Sequence, residues 1–163
     1  MSVLERTIGV ALVVAGTAAI LISTAGADPK QDAAGTISVT DRTVLMSYHD
    51  GDNVIEERFV HRSLTGTFTG TETSVSRFVI HPDGSADLTA VSTCSCSVAG
   101  RTGTVTFGER GTVTSDAVID VERKSIDASG GLEGLRAELE GTGSIRAPSQ
   151  AYTGRYTFGN DDD

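Results

Sequence analysis

The sequence predicts an all-β protein made of seven or eight antiparallel strands. Apolar and polar residues alternate along most of the chain, as they do in strands that bury one face. Turn sequences such as Pro82-Asp83-Gly84 and Ala99-Gly100-Arg101 separate these runs at short intervals. No amphipathic stretch after the N-terminal segment is long enough for a globular helix, and glycines inside several strands suit the bends of a small barrel.

The first 27 residues have the pattern of a signal peptide. Arg6 lies in a short N-terminal region, an apolar stretch runs from Thr7 to Ser23, and Ala25-Gly26-Ala27 resembles a cleavage site. An uncleaved membrane anchor is the alternative, because the apolar stretch reaches the lower length limit for a spanning helix. Both interpretations place the folded domain outside the cytoplasm, secreted or anchored.

The rest of the chain has the length of one domain. Residues 28–34 are small and polar and predict a linker, residues 35–159 form the expected β-barrel domain, and residues 160–163 are an acidic tail. The chain has 13 basic and 22 acidic residues, a net charge of −9. This charge argues against nucleic acid or an anionic membrane as a partner of the mature domain.

The run from Ser85 to Val98 is the clearest strand. One of its faces carries Leu88, Ala90, Ser92, Cys94, Cys96 and Val98, so both cysteines share a face with apolar residues. Cysteines two residues apart on a regular strand are too distant to bond, which favours two buried thiols. A bulge at Ser95 would permit a disulfide, which an extracytoplasmic location favours, while intermolecular pairing or a metal are further alternatives.

The strands before this run are less regular. Alternation from Ile37 to Tyr48 ends at the tight turn of residues 50–53, and the next run, Val54 to His61, is too mixed to assign faces. The long threonine-rich run from Leu64 to Ile80 places Glu72 between Phe68 and Phe78. A bulge near Gly66, near Gly70 or between Ser74 and Ser76 would turn Glu72 outward.

The later strands follow the same alternation. Val105 and Phe107 share a face, Gly108 to Gly111 interrupts the pattern, and a strand resumes over residues 117–123 with its charges on the solvent side. Residues 127–131 break the pattern again, and residues 132–135 form at most one helical turn. The last two predicted strands cover residues 137–145 and 152–158.

Several glycine- and threonine-rich segments carry a family resemblance. They are Thr65 to Thr71, Ala99 to Val105 with Gly111-Thr112, and Gly130 to Arg136 with Gly141-Thr142-Gly143. In this order, across Leu64 to Phe158, they resemble a family of small bacterial domains of unknown function that looks like the allene oxide cyclase barrel, shared with dirigent proteins. The resemblance implies an antiparallel eight-stranded barrel of the allene oxide cyclase-like type.

The resemblance implies no catalytic residue. The family pattern has an acidic residue where this chain has Ser92, an aromatic residue at Cys94, and a Gln-His pair at Gly108-Glu109. No nucleophile motif, phosphate loop or paired carboxylates appear elsewhere in the sequence. His49, His61 and His81 lie at or near strand ends, where we expect solvated turn residues, so no metal or cofactor is expected.

Three functions fit these observations. The first is a barrel that binds a small apolar or amphipathic ligand inside, where small inward residues (Ala90, Ser92, Gly141, Gly143 and Gly154) leave room. The expected ligand-binding residues are Phe68, Glu72, Phe78, Leu88, Cys94, Cys96, Phe107 and Tyr156. The second is an isomerase or cyclase acting on an unsaturated substrate, with an inward Glu72 as general acid or base. The third is a non-enzymatic homo-oligomeric interaction module.

Overall fold

The computed structural model describes residues 29–159. They form the strands β1 (Gln31–Asp50), β2 (Asn53–Gly66), β3 (Thr69–Ile80), β4 (Ala86–Val98), β5 (Arg101–Val113), β6 (Val118–Gly130), β7 (Leu135–Ser144) and β8 (Ser149–Phe158). Each strand pairs antiparallel with the next, and β1 also pairs with β8, so the sheet closes into a ring. The all-β class and the eight antiparallel strands are thereby confirmed.

Two predictions lie outside this range: the signal peptide of residues 1–27 and the acidic tail of residues 160–163. Within residues 29–159, the structure has no helix long and apolar enough to cross a membrane. The first strand begins at Gln31, inside the predicted linker, and Ala33 is already buried. The first strand therefore starts four residues before the predicted Gly35, because β1 pairs with β8 from its first residue.

The predicted turns are present. Gly51 and Asp52 connect β1 to β2, and Ala99 and Gly100 connect β4 to β5 with positive φ angles of 50° and 77°. Positive φ at both central residues is the backbone shape that matches the twist of a tight hairpin. In the turn between β3 and β4, the Asp83 carboxylate accepts hydrogen bonds from the backbone N–H of Ser85 at 2.9 Å and from its hydroxyl at 2.7 Å.

Two strand boundaries differ from the prediction. The run from Leu64 to Ile80 is the end of β2, a turn at Thr67 and Phe68, and then β3. Residues 108–111 do not interrupt β5, which continues to Val113. In both places the positions where a strand begins and ends depend on its pairing with neighbouring strands and not on local composition.

The expectation of two free thiols was wrong, because Cys94 and Cys96 form a disulfide. Their Cα atoms are 5.4 Å apart, within the usual range for a disulfide and shorter than the roughly 6.6 Å of a regular strand. The expected bulge at Ser95 is also absent from β4, since Ser95 stays in register with Thr71 and Thr104. The strand contracts locally and keeps its pairing.

The interior is divided into two apolar clusters. The larger cluster lies near the β2–β3, β4–β5 and β6–β7 turns, in the half of the interior that we call the closed half. There the Phe68 ring packs edge-on against Phe107, Tyr152 and Tyr156 at 5.8–6.2 Å. The smaller cluster lies near the β1–β2, β3–β4, β5–β6 and β7–β8 turns, in the half that we call the open half. It consists of Ala86, Leu88, Ala90, Val113, Ile119 and Val121, with Phe78 and Ile80 packed against it. Along β4, Ser92 separates Cys94 of the first cluster from Ala90 of the second. A layer of polar side chains therefore crosses the interior at this level.

The second half of β1 extends past the ring. One edge of β1 pairs with β8 up to Ser38. Beyond Val39, no strand within residues 29–159 pairs with that edge. Register shifts at Thr40 and Leu45 mark two bulges in this segment. Val44, Leu45, Met46 and Tyr48 are between 44% and 56% exposed there. The free edge of β1 therefore carries a run of exposed apolar side chains.

Candidate functional site

Five side chains form the charged layer between the two apolar clusters: Arg62, Glu72, Ser92, Glu109 and Arg123. Arg62 Nη1 lies 3.0 Å from Glu72 Oε1 and 3.0 Å from Glu109 Oε1. Arg123 Nη2 donates a hydrogen bond to Glu72 Oε2 and lies 3.1 Å from Glu109 Oε1. Ser92 Oγ donates to Glu109 Oε1 at 2.6 Å and accepts from Arg123 Nη2 at 3.0 Å. Each carboxylate thus contacts both arginines.

Strand register places these groups together. Arg62 lies opposite Glu72 in the β2–β3 pair, and Glu109 lies opposite Arg123 in the β5–β6 pair. All four point inward because they continue the apolar face of their strands. The Arg123 guanidinium also lies over the Phe107 ring, 4.5 Å from its centroid. Its contact with the Phe107 ring and its ion pairs with the carboxylates hold this guanidinium in one position.

The charged layer is almost completely buried. Glu72, Glu109 and Arg123 are 1%, 3% and 2% exposed. Burial raises the pKa of the Glu109 carboxyl, but the charges of Arg123 and Arg62 and the Ser92 hydrogen bond outweigh burial and hold that pKa below its usual range. Burial lowers the pKa of Arg62, yet Glu109 and Glu72 outweigh it and raise that pKa above its usual value. At neutral pH, Glu109 and Arg62 are therefore both charged.

Three buried polar atoms in and beside this layer have no hydrogen-bond partner in the described part of the chain. They are Arg123 Nε, Arg123 Nη1 and Ser74 Oγ. A buried donor without an acceptor costs about 1–3 kcal/mol, and more when the group is charged. The layer therefore has more N–H donors than acceptors on the side of Arg123.

A cavity of about 80 Å³ lies in the open half. Its apolar walls are Ile37, Val39, Val60, Phe78, Leu88, Ile119 and Val121, and its charged lining is Arg42, Arg58, Arg62, Glu109 and Arg123. The β7–β8 connection, with Ala147 and Pro148, also lines it. Arg58 lies 4.2 Å from the centroid of the Phe78 ring and donates to Glu56 Oε2 from Nε at 2.8 Å and from Nη2 at 2.6 Å. The cavity thus has apolar walls and guanidinium groups among its lining.

The eight predicted ligand-binding residues lie in three different places. Phe78 and Leu88 line the cavity. Glu72 belongs to the charged layer, and Phe68, Cys94, Cys96, Phe107 and Tyr156 pack in the cluster of the closed half. The predicted set is thus spread over both halves of the interior, and a role in ligand binding stays a prediction.

Glu72 is inward, as the candidate acid or base had to be, but its neighbours differ from those expected. Its carboxylate contacts Arg62 and Arg123, where the sequence suggested Phe68 and Phe78. Both of its oxygens are held in ion pairs, so neither is free to meet a substrate. The same two arginines and Glu109 were missed by sequence reasoning.

A sequence signal for the missed residues exists. Glu109 follows Val105 and Phe107 at the two-residue period of the inward face, and Arg123 follows Ile119 and Val121 in the same way. The expectation that the charges of this segment face solvent is wrong for Arg123, which is buried. A charged residue that continues an apolar face is the pattern to look for.

The histidines do not form a site. His49 and His61 are exposed, and the His81 ring contacts Asn53 Oδ1 at 3.1 Å and Asp87 Oδ2 at 3.2 Å. Among residues 29–159, no cluster of three or more His, Cys, Asp or Glu residues could hold a metal ion.

A solved structure shares this fold. It is the crystal structure of a protein of unknown function from the DUF3224 family, from Shewanella oneidensis MR-1, with a TM-score of 0.67 and 17% sequence identity. The match covers 81% of this chain and 100% of that chain. The sequence matches no protein-family model and no curated protein. The likeness establishes the fold and leaves the activity to be argued from the site.

Proposed function

We propose that this protein binds a small amphipathic molecule in the open half of its closed sheet. The observation that carries the proposal is the cavity, whose lining combines apolar walls with guanidinium groups, one of which, that of Arg123, has two donors without a partner in the described chain. Ligand sites in proteins commonly combine apolar walls with a few fixed polar groups that orient the ligand. An amphipathic molecule would satisfy both parts of this cavity.

The size of the cavity restricts the ligand. A water molecule occupies about 30 Å³ in the liquid, so 80 Å³ holds only a few non-hydrogen atoms. Pockets for drug-sized ligands are about 300–1,000 Å³. The polar end and the first carbons of a ligand would therefore be enclosed, and the rest would extend past Arg42 and Arg58 at the mouth.

Gly141 offers a direct test of this proposal. It lines the cavity, and a Cβ there would meet only the Ala151 carbonyl oxygen at 3.7 Å, an ordinary contact. Gly141→Val should therefore fill part of the cavity at little cost to the fold. Gly108→Val is the matched control, because Gly108 lies between two inward residues, faces outward and would meet only the Ile126 side chain at 3.5 Å.

The measurement is the binding of 1-hexanol, followed by chemical-shift changes in the NMR spectrum of the purified protein. The proposal predicts saturable binding by the wild type and by Gly108→Val, and a loss of about tenfold or more in affinity for Gly141→Val. The proposal fails if the wild type binds neither 1-hexanol nor a charged molecule of the same chain length saturably, or if both variants bind equally.

The enzymatic alternative has less support. An isomerase that uses a buried acid needs a carboxyl that can exchange a proton near neutral pH. The carboxylates of the charged layer each contact two arginines, so their oxygens are engaged in ion pairs and are not free to meet a substrate. We therefore place ligand binding ahead of proton-transfer chemistry.

Self-association is a second candidate, which the free edge of β1 favours. An edge strand with exposed apolar side chains is a template for pairing with another chain. Its occupant in this proposal is the same edge of a second copy. The two sites adjoin, since Arg42 of this segment also lines the cavity.

We also propose an allene oxide cyclase-like fold type and an extracytoplasmic location. The sequential order of the eight strands supports the fold type, and a crystal structure should align all eight with that barrel in the same order. The Cys94–Cys96 disulfide supports the location, because such bonds persist in oxidising compartments. N-terminal sequencing of the secreted protein should find a start near Asp28.

A further inference from the structure

We infer that the ligand of this cavity carries one negative charge, in the form of a carboxylate attached to an apolar body. This inference rests on the proposed function and adds the chemical class of the ligand. It follows from the charges around the cavity, from the unused donors of Arg123 and from the position of the carboxylates.

The charges around the cavity leave one positive charge unmatched. Four arginines line it: Arg42, Arg58, Arg62 and Arg123. Three carboxylates contact them, since Glu56 pairs with Arg58, and Glu72 and Glu109 pair with both Arg62 and Arg123. Arg42 makes no ion pair within residues 29–159. In a chain of net charge −9 this cavity is an exception, and a single anion would balance it.

Arg123 supplies donors that the described part of the protein does not use. Its Nη2 is occupied by Glu72, Ser92 and Glu109, while Nε and Nη1 are buried without an acceptor. A carboxylate brings only acceptor oxygens, and hydrogen bonds between charged partners are the strongest. The guanidinium is already fixed over Phe107, so binding would not have to order it.

The same groups discriminate between ligand classes. An ammonium group would meet Arg42 and Arg58 at the mouth and could not accept a hydrogen bond from Arg123. A dianion would place its second charge close to Glu109, which is ionised. A neutral alcohol could accept one hydrogen bond but would leave the positive charge unbalanced. The expected order of affinity is therefore monocarboxylate, alcohol, amine.

Three probes with the same chain length test this order: sodium hexanoate, 1-hexanol and hexylamine, titrated into the protein at neutral pH and constant ionic strength. We expect hexanoate to bind about tenfold or more tightly than hexanol, and hexylamine to bind weakest. If hexanol or hexylamine binds as tightly as hexanoate, the anionic class is wrong, although the cavity remains a binding site. If none of the three binds saturably, the proposed function fails as well.

A charge variant separates specific recognition from general attraction. Replacing Arg123 would leave Glu72 and Glu109 underpaired inside the protein, so Arg42 at the mouth is changed instead. Arg42→Gln should weaken hexanoate binding about fivefold or more and weaken hexanol binding much less, because only hexanoate carries the charge that Arg42 attracts; saturable hexanol binding also shows that the variant is folded. Arg110→Gln, an exposed arginine on the outer face of β5, removes the same charge and should leave both affinities unchanged. Equal losses in the two variants would overturn the inference.

Discussion

Glu109 is a buried carboxylate whose protonation is linked to folding. Arg62, Arg123 and Ser92 contact it, and Glu72 shares both arginines. Its pKa is below the usual range because these positive charges outweigh burial. A carboxyl whose pKa is lowered on folding stabilises the folded state above its ordinary pKa, near 4.5. This contribution is lost as the pH falls from that value through the lower pKa of the folded state.

We predict that Glu109→Gln destabilises the protein by about 3–5 kcal/mol near neutral pH, because it leaves two buried arginines underpaired. The difference from the wild type should narrow below about pH 4.5, where the wild type loses its own ion pairs. Urea denaturation at neutral and acidic pH measures both effects. Glu122→Gln, an exposed neighbour on β6, should change the free energy of unfolding by less than about 0.5 kcal/mol. A difference that does not depend on pH would contradict this account of Glu109.

The orientation of single residues could be predicted from the sequence, but their partners could not. The alternation of residues allowed an inward Glu72, and this residue is buried. Its contact with Arg123 joins residues 51 positions apart, and it depends on the closure of a ring that no local pattern specifies. A carboxyl that looks isolated among phenylalanines in the sequence is therefore a paired carboxylate in the fold.

At the scale of the strand, β4 shows how far local geometry can be trusted. Its alternation placed Cys94 and Cys96 on the buried face, and both are buried. The regular rise of a strand argued against a bond between them, yet their Cα atoms approach to 5.4 Å with the pairing on both sides intact. Average strand dimensions exclude such a contact only if the strand cannot contract.

We predict that thiol titration of the denatured, unreduced protein finds no free thiol, and that Cys94→Ala exposes one. The double variant Cys94→Ala/Cys96→Ala should be less stable by about 1.5–2 kcal/mol, because a bond that closes so short a loop removes little entropy from the unfolded chain. Chemical denaturation of both proteins without reductant measures this difference. Two titratable thiols in the wild type would contradict the disulfide.

The free edge of β1 predicts self-association. Residues 40–50 expose Val44, Leu45, Met46 and Tyr48 beside backbone groups that no strand of residues 29–159 pairs with. We expect a dimer in sedimentation equilibrium at micromolar concentration, and a monomer for Leu45→Lys, because a charge at an exposed edge opposes pairing. Val91→Lys on the outer face of β4 is the matched control and should remain dimeric. A monomeric wild type would remove the support for this edge as an interface.

At the scale of the whole molecule, the two halves of the interior differ in a way that alternation does not show. The small inward residues were expected to leave room, but only Gly141 among the five lines the cavity. Gly154 allows a close backbone approach, since a Cβ there would lie 2.1 Å from the Glu138 carbonyl oxygen. The space beside Ser92 is occupied by the side chains of the charged layer to which Ser92 is hydrogen-bonded. The size of an interior space depends on which side chains meet at one level of the ring, and this is set by register around all eight strands.

The most direct test of the central claim is the NMR signal of the Arg123 Nε–H group, assigned by its loss in Arg123→Lys and followed during a titration with sodium hexanoate. This N–H is buried and without a protein acceptor in the described chain, so its resonance reports on any anion that reaches the charged layer. We predict a saturable shift with hexanoate that follows the binding curve, and little change with hexylamine. If hexanoate binds while the Arg123 signal stays where it is, the carboxylate does not reach the charged layer, and the proposed recognition of an anion by Arg123 is wrong.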